Sequence, residues 1–175
     1  MKLVEFIALD SILVDVEVDS KKNLFKFVSN FFAKNDLEES SKIIEKLNER
    51  ERLGSTGVGN GIAIPHSKIS LIDKTKVLFL KLKSAVDFSA PDKKYVDLVF
   101  VILAPKNCQS EHLLVLSSIA SFVKNKSFVK KLRRLKLSEI SQIAGRAGRY
   151  LNDGSFGITG DCGEISAEEI ELLEN

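Results

Sequence analysis

The 175-residue sequence predicts an α/β fold: a single domain with a mixed sheet flanked by helices on both faces, plus a poorly packed C-terminal tail. Three features predict it. "VDLVFVILAP" (96–105) is a nearly continuous apolar run rich in β-branched residues, as in a strand buried on both faces. "KKNLFKFVSNFFAKN" (21–35) and "SEHLLVLSSIASFVKN" (110–125) instead place apolar residues at helical spacing. Helical and strand-like segments alternate along the chain, which puts helices over both faces of one sheet.

The elements follow in order. Leu24, Phe25, Val28, Phe31 and Phe32 form one apolar stripe, with lysines opposite. "LEESSKIIEKLNERERLG" repeats the pattern with Ile43, Ile44 and Leu47, and Gly54 is a fitting helix stop. A glycine-rich loop comes next, then "IAI" as a short strand cut off by Pro65. "TKVLFLKL" (75–82) alternates weakly and reads as a strand, followed by the buried strand at 96–105. In the next helix Ser110 is the expected N-cap, with Leu113, Leu116, Ile119, Ala120 and Val123 inward. "SFVKKLRRLK" adds a further short helix. Residues 1–140 make the domain. Residues 141–175 hold more than half of the 10 glycines and lack the apolar residues for a second core. Within them "AEEIELLEN" has helical spacing through Ile170 and Leu173.

Composition narrows the function. Hydrophobic residues make up 44% and charged residues 29%, the mix of a globular protein. A net charge of +2 gives no argument for a nucleic-acid partner. No apolar run approaches the roughly 20 residues of a membrane span. "MKLVEFIALDSI" carries early acids and no small-residue cleavage site, so a cytoplasmic location is expected. Cys108 and Cys162 are too few for a disulfide framework. The only two histidines are far apart and no CxxC or HExxH occurs, so neither metal nor cofactor is expected.

The chemistry converges on His66, at the end of "GSTGVGNGIAIPH". Gly57, Gly59 and Gly61, with Asn60 between them, would let a loop turn sharply and expose amides to an anion. Ser55 and Thr56 add hydroxyl donors. Arg50 and Arg52 close the preceding helix and could neutralise the anion's charge. Pro65 sets the backbone before the ring. A neutral imidazole is a good nucleophile near pH 7. On the pattern alone, a histidine near glycines is more often a turn residue or a hydrogen-bonded surface group. A nucleotide loop is disfavoured, because no GK[ST] follows the glycines.

"RERLGSTGVGNGIAIPHSK" closely resembles the signature of the phosphotransferase-system enzyme IIA family of the fructose/mannitol type, nearest its nitrogen-regulatory member. "VDFSAPDKKYVDLVFVILAP" and "EHLLVLSSIASFV" continue the resemblance over about residues 5 to 140. It implies that His66 is phosphorylated, that His112 faces it and stabilises the phosphoryl group, and that Arg50 lies near the phosphate. Ser55, Thr56, Gly57, Gly59, Asn60 and Gly61 would then line the phosphate. Alone, His112 could equally be a helix-surface residue. One departure stands out: the family usually has glycine after the histidine, and this chain has Ser67.

The tail resembles something else. "QIAGRAGR" is similar to motif VI of superfamily 2 helicases, with flanking residues like those of certain RNA helicases. There the two arginines, Arg146 and Arg149 here, reach ATP phosphates. The chain has no Walker A lysine loop and no DEx[DH], so the expectation is a fusion fragment without motor function.

The leading expectation is a phosphocarrier of regulatory type. It accepts a phosphoryl group on His66 from a histidine phosphocarrier protein and signals through phosphorylation-dependent binding of a regulated protein. The alternative is a sugar-transport component that passes the group to a permease B domain. A nucleic-acid-binding helicase fragment is the remote third, and near-neutral charge argues against it.

Overall fold

The structure, a computed structural model, describes residues 6–34, 36–140 and 142. Its elements run β1 (Ile12–Val16), α1 (Lys21–Ala33), α2 (Leu37–Arg52), β2 (Gly57–Gly59), β3 (Ile62–Ala63), β4 (His66–Ile69), β5 (Lys76–Val86), β6 (Val96–Pro105), α3 (Gln109–Phe122) and α4 (Lys126–Arg134). The six strands form one mixed sheet in the order β1-β5-β6-β3-β2, with β4 also on β6. The expected α/β class and mixed sheet are therefore observed. None of the described helices is long and apolar enough to cross a membrane.

β6 explains the architecture. Val99, Val101 and Leu103 face one layer, where they pack with Leu24, Phe25 and Val28 of α1 and Ile43 and Leu47 of α2. Leu98, Phe100 and Ile102 face the other, with Val115 and Ile119 of α3 and Val129 of α4. Alternation along one strand thus feeds two cores, which is why its sequence is apolar throughout. Side-chain caps start the helices where the chain supplies them. Ser20 accepts from the Asn23 amide (3.2 Å), Asp36 from Glu39 (2.9 Å), and Asn125 from Ser127 and Phe128.

Several expectations are corrected. β1 was not anticipated; it pairs in parallel with β5, and its weak alternation hides it in the sequence. β3 does stop short of Pro65, as expected, but the break is brief. The chain resumes as β4, and both β3 and β4 lie parallel to β6. Pro65 interrupts the edge, where its missing N–H is tolerated, and its carbonyl accepts from Ile102 N (2.9 Å). Ser110 is not the cap of α3. The helix begins two residues earlier than that cap implies, at Gln109, and Cys108 at the N-cap makes no side-chain cap bond. Of the residues expected inward on α3, Leu116, Ile119, Ala120 and Val123 do pack against the core, but Leu113 is exposed, and His112 and Val115 are buried beside Ile119.

The glycine-rich segment is a hairpin, not a loop. β2 pairs antiparallel with β3, and Asn60 (φ 55°) and Gly61 (φ 77°) make the two-residue turn. Left-handed values at both turn residues match the twist of a hairpin. A Cβ on Gly61 would fall 2.6 Å from Arg133 Nη2 and 2.8 Å from Asp97 Oδ1. Arg133 ties the tip to α4, bonding the Asn60 carbonyl and both Asp97 oxygens. Residues 143–175 lie outside the described residues, and with them the helicase-like Arg146 and Arg149 and the helical spacing of "AEEIELLEN".

Candidate functional site

His66 opens β4 and is paired with Ile102, so its ring lies on the α3 face of the sheet. His112 lies in the first turn of α3 and turns inward. The two rings stand with centroids 5.5 Å apart, tilted by 54°. Arg50 comes from the last turn of α2, in the other layer, and its Nε–H donates to His66 Nε2 (2.9 Å). Arg50 also donates from Nη1 to the Gly54 carbonyl (3.0 Å), which braces the guanidinium. The structure therefore brings His66, His112 and Arg50 together from three distant stretches of sequence.

The tautomer of His66 follows from its partners. Nδ1 stands 2.7 Å from the Ile64 carbonyl oxygen, which can only accept, so Nδ1 carries the proton. Nε2 then holds the lone pair that Arg50 donates to. Burial lowers the pKa of His66 below its ordinary value, and the Arg50 charge adds to this; the Ile64 bond and Glu51 oppose it. The ring is neutral at pH 7, with a nucleophilic nitrogen.

His112 is 6% exposed, and its Nδ1 has no hydrogen-bond partner. Burial brings its pKa down to about 4, with smaller contributions from His66 and from Lys68. An unpartnered polar atom in so buried a position is costly and suits a site that meets a ligand. Lys68 is two residues past His66 on the same face of β4 and adds a second cation. The spacing "HSK" could have revealed it, because i and i+2 share a strand face.

The remaining predicted residues are placed differently. The Ser55 hydroxyl donates to the Phe88 carbonyl and accepts from Gly57 N (3.0 Å). Thr56 is 4% exposed; its amide and hydroxyl both bind the Glu51 carboxylate, the hydroxyl at 2.6 Å. The Asn60 amide donates to Asp92 Oδ2 (2.8 Å). The expected anion cradle is thus corrected: the donors of Ser55, Thr56, Gly57 and Asn60 are engaged inside the protein. Gly59, Asn60 and Gly61 form the hairpin tip. About five residues of near-extended chain, roughly 16 Å, separate that tip from His66. Gly57 is explained by packing, since a Cβ there would lie 2.8 Å from Ala90 Cβ. Arg52 is exposed, and of the two arginines only Arg50 reaches the ring. Ser67 pairs with Leu103, so alternation sends its side chain to the face opposite His66. The departure from glycine therefore does not place a hydroxyl at Nε2.

Glu51 is the group that sequence reading passed over. Its carboxylate takes Lys21 Nζ (3.1 Å) besides the two donors of Thr56. It lies inside "RERLGSTGVGNGIAIPHSK", but nothing in that stretch says which donors its carboxylate takes. No cluster of three or more potential metal ligands occurs among the described residues.

Comparison with known proteins places this chain in a family. Residues 5–143 match the family described as the phosphoenolpyruvate-dependent sugar phosphotransferase system, EIIA 2. A nitrogen regulatory protein of Bradyrhizobium diazoefficiens is 36% identical over 133 residues, covering 76% of this chain and 87% of that protein. The crystal structure of nitrogen regulatory protein IIA-Ntr from Neisseria meningitidis matches with a TM-score of 0.71 and 38% identity. That match covers 75% of this chain and 90% of that one. The fructose-specific EIIABC component of Bacillus subtilis is 29% identical over 133 residues, which cover 75% of this chain but 21% of that protein. With a mixed α/β sheet of the same kind and a match over most of its length, this chain belongs to the EIIA 2 family of the phosphoenolpyruvate-dependent sugar phosphotransferase system.

Proposed function

We propose that the protein is a phosphocarrier of regulatory type, which accepts a phosphoryl group on Nε2 of His66 from a histidine phosphocarrier protein. The observation that carries this reading is the fixed tautomer: the Ile64 carbonyl holds the proton on Nδ1 and leaves Nε2 as the nucleophile. In the transfer, the phosphorus–nitrogen bond of the donor breaks as the bond to Nε2 forms, and the electron pair returns to the donor's imidazole. No proton has to leave His66. The transition state is stabilised by charge and position. Arg50 swings its Nε–H from the Nε2 lone pair to the phosphoryl oxygens, and Lys68 adds charge from the same face. His112, neutral and unpartnered beforehand, gains a reason to hold a proton once a dianion lies beside it.

The output is partner binding that depends on phosphorylation. The phosphoryl group adds roughly −1.5 to −2 charge, enough to repel or recruit a docking surface. Relatives named nitrogen regulatory proteins support this over sugar transport. The fructose-specific EIIABC relative supports the second reading, in which His66 passes the group to a permease B domain.

The test is incubation with phosphoenolpyruvate, enzyme I and the carrier protein. Acid-labile phosphate should appear on the wild type and be absent from His66→Ala. No label on wild type, or label retained in the variant, refutes the assignment. Rapid onward movement of label to a B domain would favour the transport reading.

A further inference from the structure

The ring of His66 is referenced to the end of α2 from both of its nitrogens. On the lone-pair side the contact is direct, from Arg50 (2.9 Å). On the protonated side it is a relay. Glu51, the next residue of α2, holds Thr56 by its amide (3.3 and 3.2 Å to the two oxygens) and its hydroxyl (2.6 Å). The Thr56 carbonyl accepts from Ile64 N (2.9 Å), and the Ile64 carbonyl accepts from His66 Nδ1 (2.7 Å). Lys21 of α1 closes the carboxylate from the far side (3.1 Å), and the Glu51 side chain is only 7% exposed.

We propose that Glu51 is a positioning residue for His66: through Thr56 and Ile64 it holds the carbonyl that keeps the proton on Nδ1 and the nucleophile at Nε2. The proposal rests on the reading of His66 as phosphoryl acceptor. Its chemical logic is specific to a carboxylate. Thr56 offers two donors and Lys21 another, so the group between them must accept three times and donate nothing. The charge strengthens each bond in a nearly dry setting. Phosphoryl acceptance demands a lone pair within a few tenths of an ångström of the in-line position, and small displacements at such a site are expensive in rate.

The experiment compares wild type with Glu51→Gln, Lys21→Met, Thr56→Val and Thr56→Ser. Ring-nitrogen NMR reports the His66 tautomer, and label transfer from the phosphorylated carrier reports rate and half-saturation separately. Glu51→Gln should mix the two tautomers and slow transfer by at least about tenfold at unchanged half-saturation by the carrier. Lys21→Met removes the ion pair but keeps the Thr56 bonds, so it should retain tautomer and rate whatever it does to melting. Thr56→Val should resemble Glu51→Gln in kind, and Thr56→Ser should behave as wild type. These Thr56 variants decide the matter if Glu51→Gln does not fold. A single Nδ1–H tautomer and wild-type rate in folded Glu51→Gln would overturn the proposal, as would equal rate losses in Lys21→Met. If wild type takes no phosphate on His66, the functional reading fails, and the tautomer comparison still judges the positioning role.

Discussion

Acidification should destabilise this protein through His112, and the size of the effect can be worked from its surroundings. Burial holds the His112 pKa at about 4 in the folded state against an ordinary value of 6.5. Because the folded value is the lower one, the unfolded chain takes the proton first as pH falls. The His112 contribution is therefore complete above about pH 6.5 and is lost progressively down to about pH 4. Between pH 7 and pH 5 the linkage amounts to about 2 kcal/mol at most. Partial solvent screening reduces this, so a loss of about 1–2 kcal/mol is expected. Carboxylates and His66 also respond to pH, so the comparison that isolates His112 is with His112→Gln. Urea unfolding at pH 7 and pH 5 should show a smaller pH dependence for the variant by that amount. Ring NMR of the folded wild type should show His112 still neutral at pH 5. Equal pH dependence in both proteins, or a His112 that titrates near 6.5 when folded, would refute the reasoning.

Two further substitutions test the same geometry. Arg50→Met removes a cation that helps burial depress the His66 pKa, so that pKa should rise toward 6.5 in an NMR titration. Phosphate uptake on His66 should fall by about a hundredfold with it, through loss of preorganised charge; an unchanged rate would exclude Arg50 from the site. Gly61→Ala combines a φ of 77° with a Cβ 2.6 Å from Arg133 Nη2, and should lose about 2 kcal/mol in urea unfolding while leaving the His66–His112 pair intact.

The hairpin shows why part of the site was not legible. "NG" between short apolar runs is a strong turn signal, and it sits at Asn60–Gly61. Three glycines before a histidine also resemble an anion loop, and sequence cannot say where backbone donors point. In the structure they point inward: Thr56 to Glu51, Gly57 to Ser55, Asn60 to Asp92. Gly57 is taken by its near neighbour Ser55, but Thr56 and Asn60 are taken by Glu51 of α2 and Asp92 of the segment before β6, and residue type alone does not reveal those partners.

The sequence by itself determined the fold class and the family. The apolar, β-branched run at 96–105 reads as a strand covered on both faces, and the helical stripes at 21–35 and 110–125 supply the covers. It also marked His66, His112 and Arg50 as candidate groups for the chemistry, His112 through resemblance alone. Only the tertiary structure decided how they are arranged. Parallel pairing of β4 with β6 turns His66 toward α3, the inward face of α3 delivers His112, and the end of α2 supplies Arg50 on one nitrogen and the Glu51 relay to the other. Alternation along β4 likewise puts Lys68 beside the histidines and Ser67 away from them. Those placements depend on strand register and on contacts between distant segments, whereas residue type and periodicity are local, and that is the physical boundary between what could be read and what had to be seen.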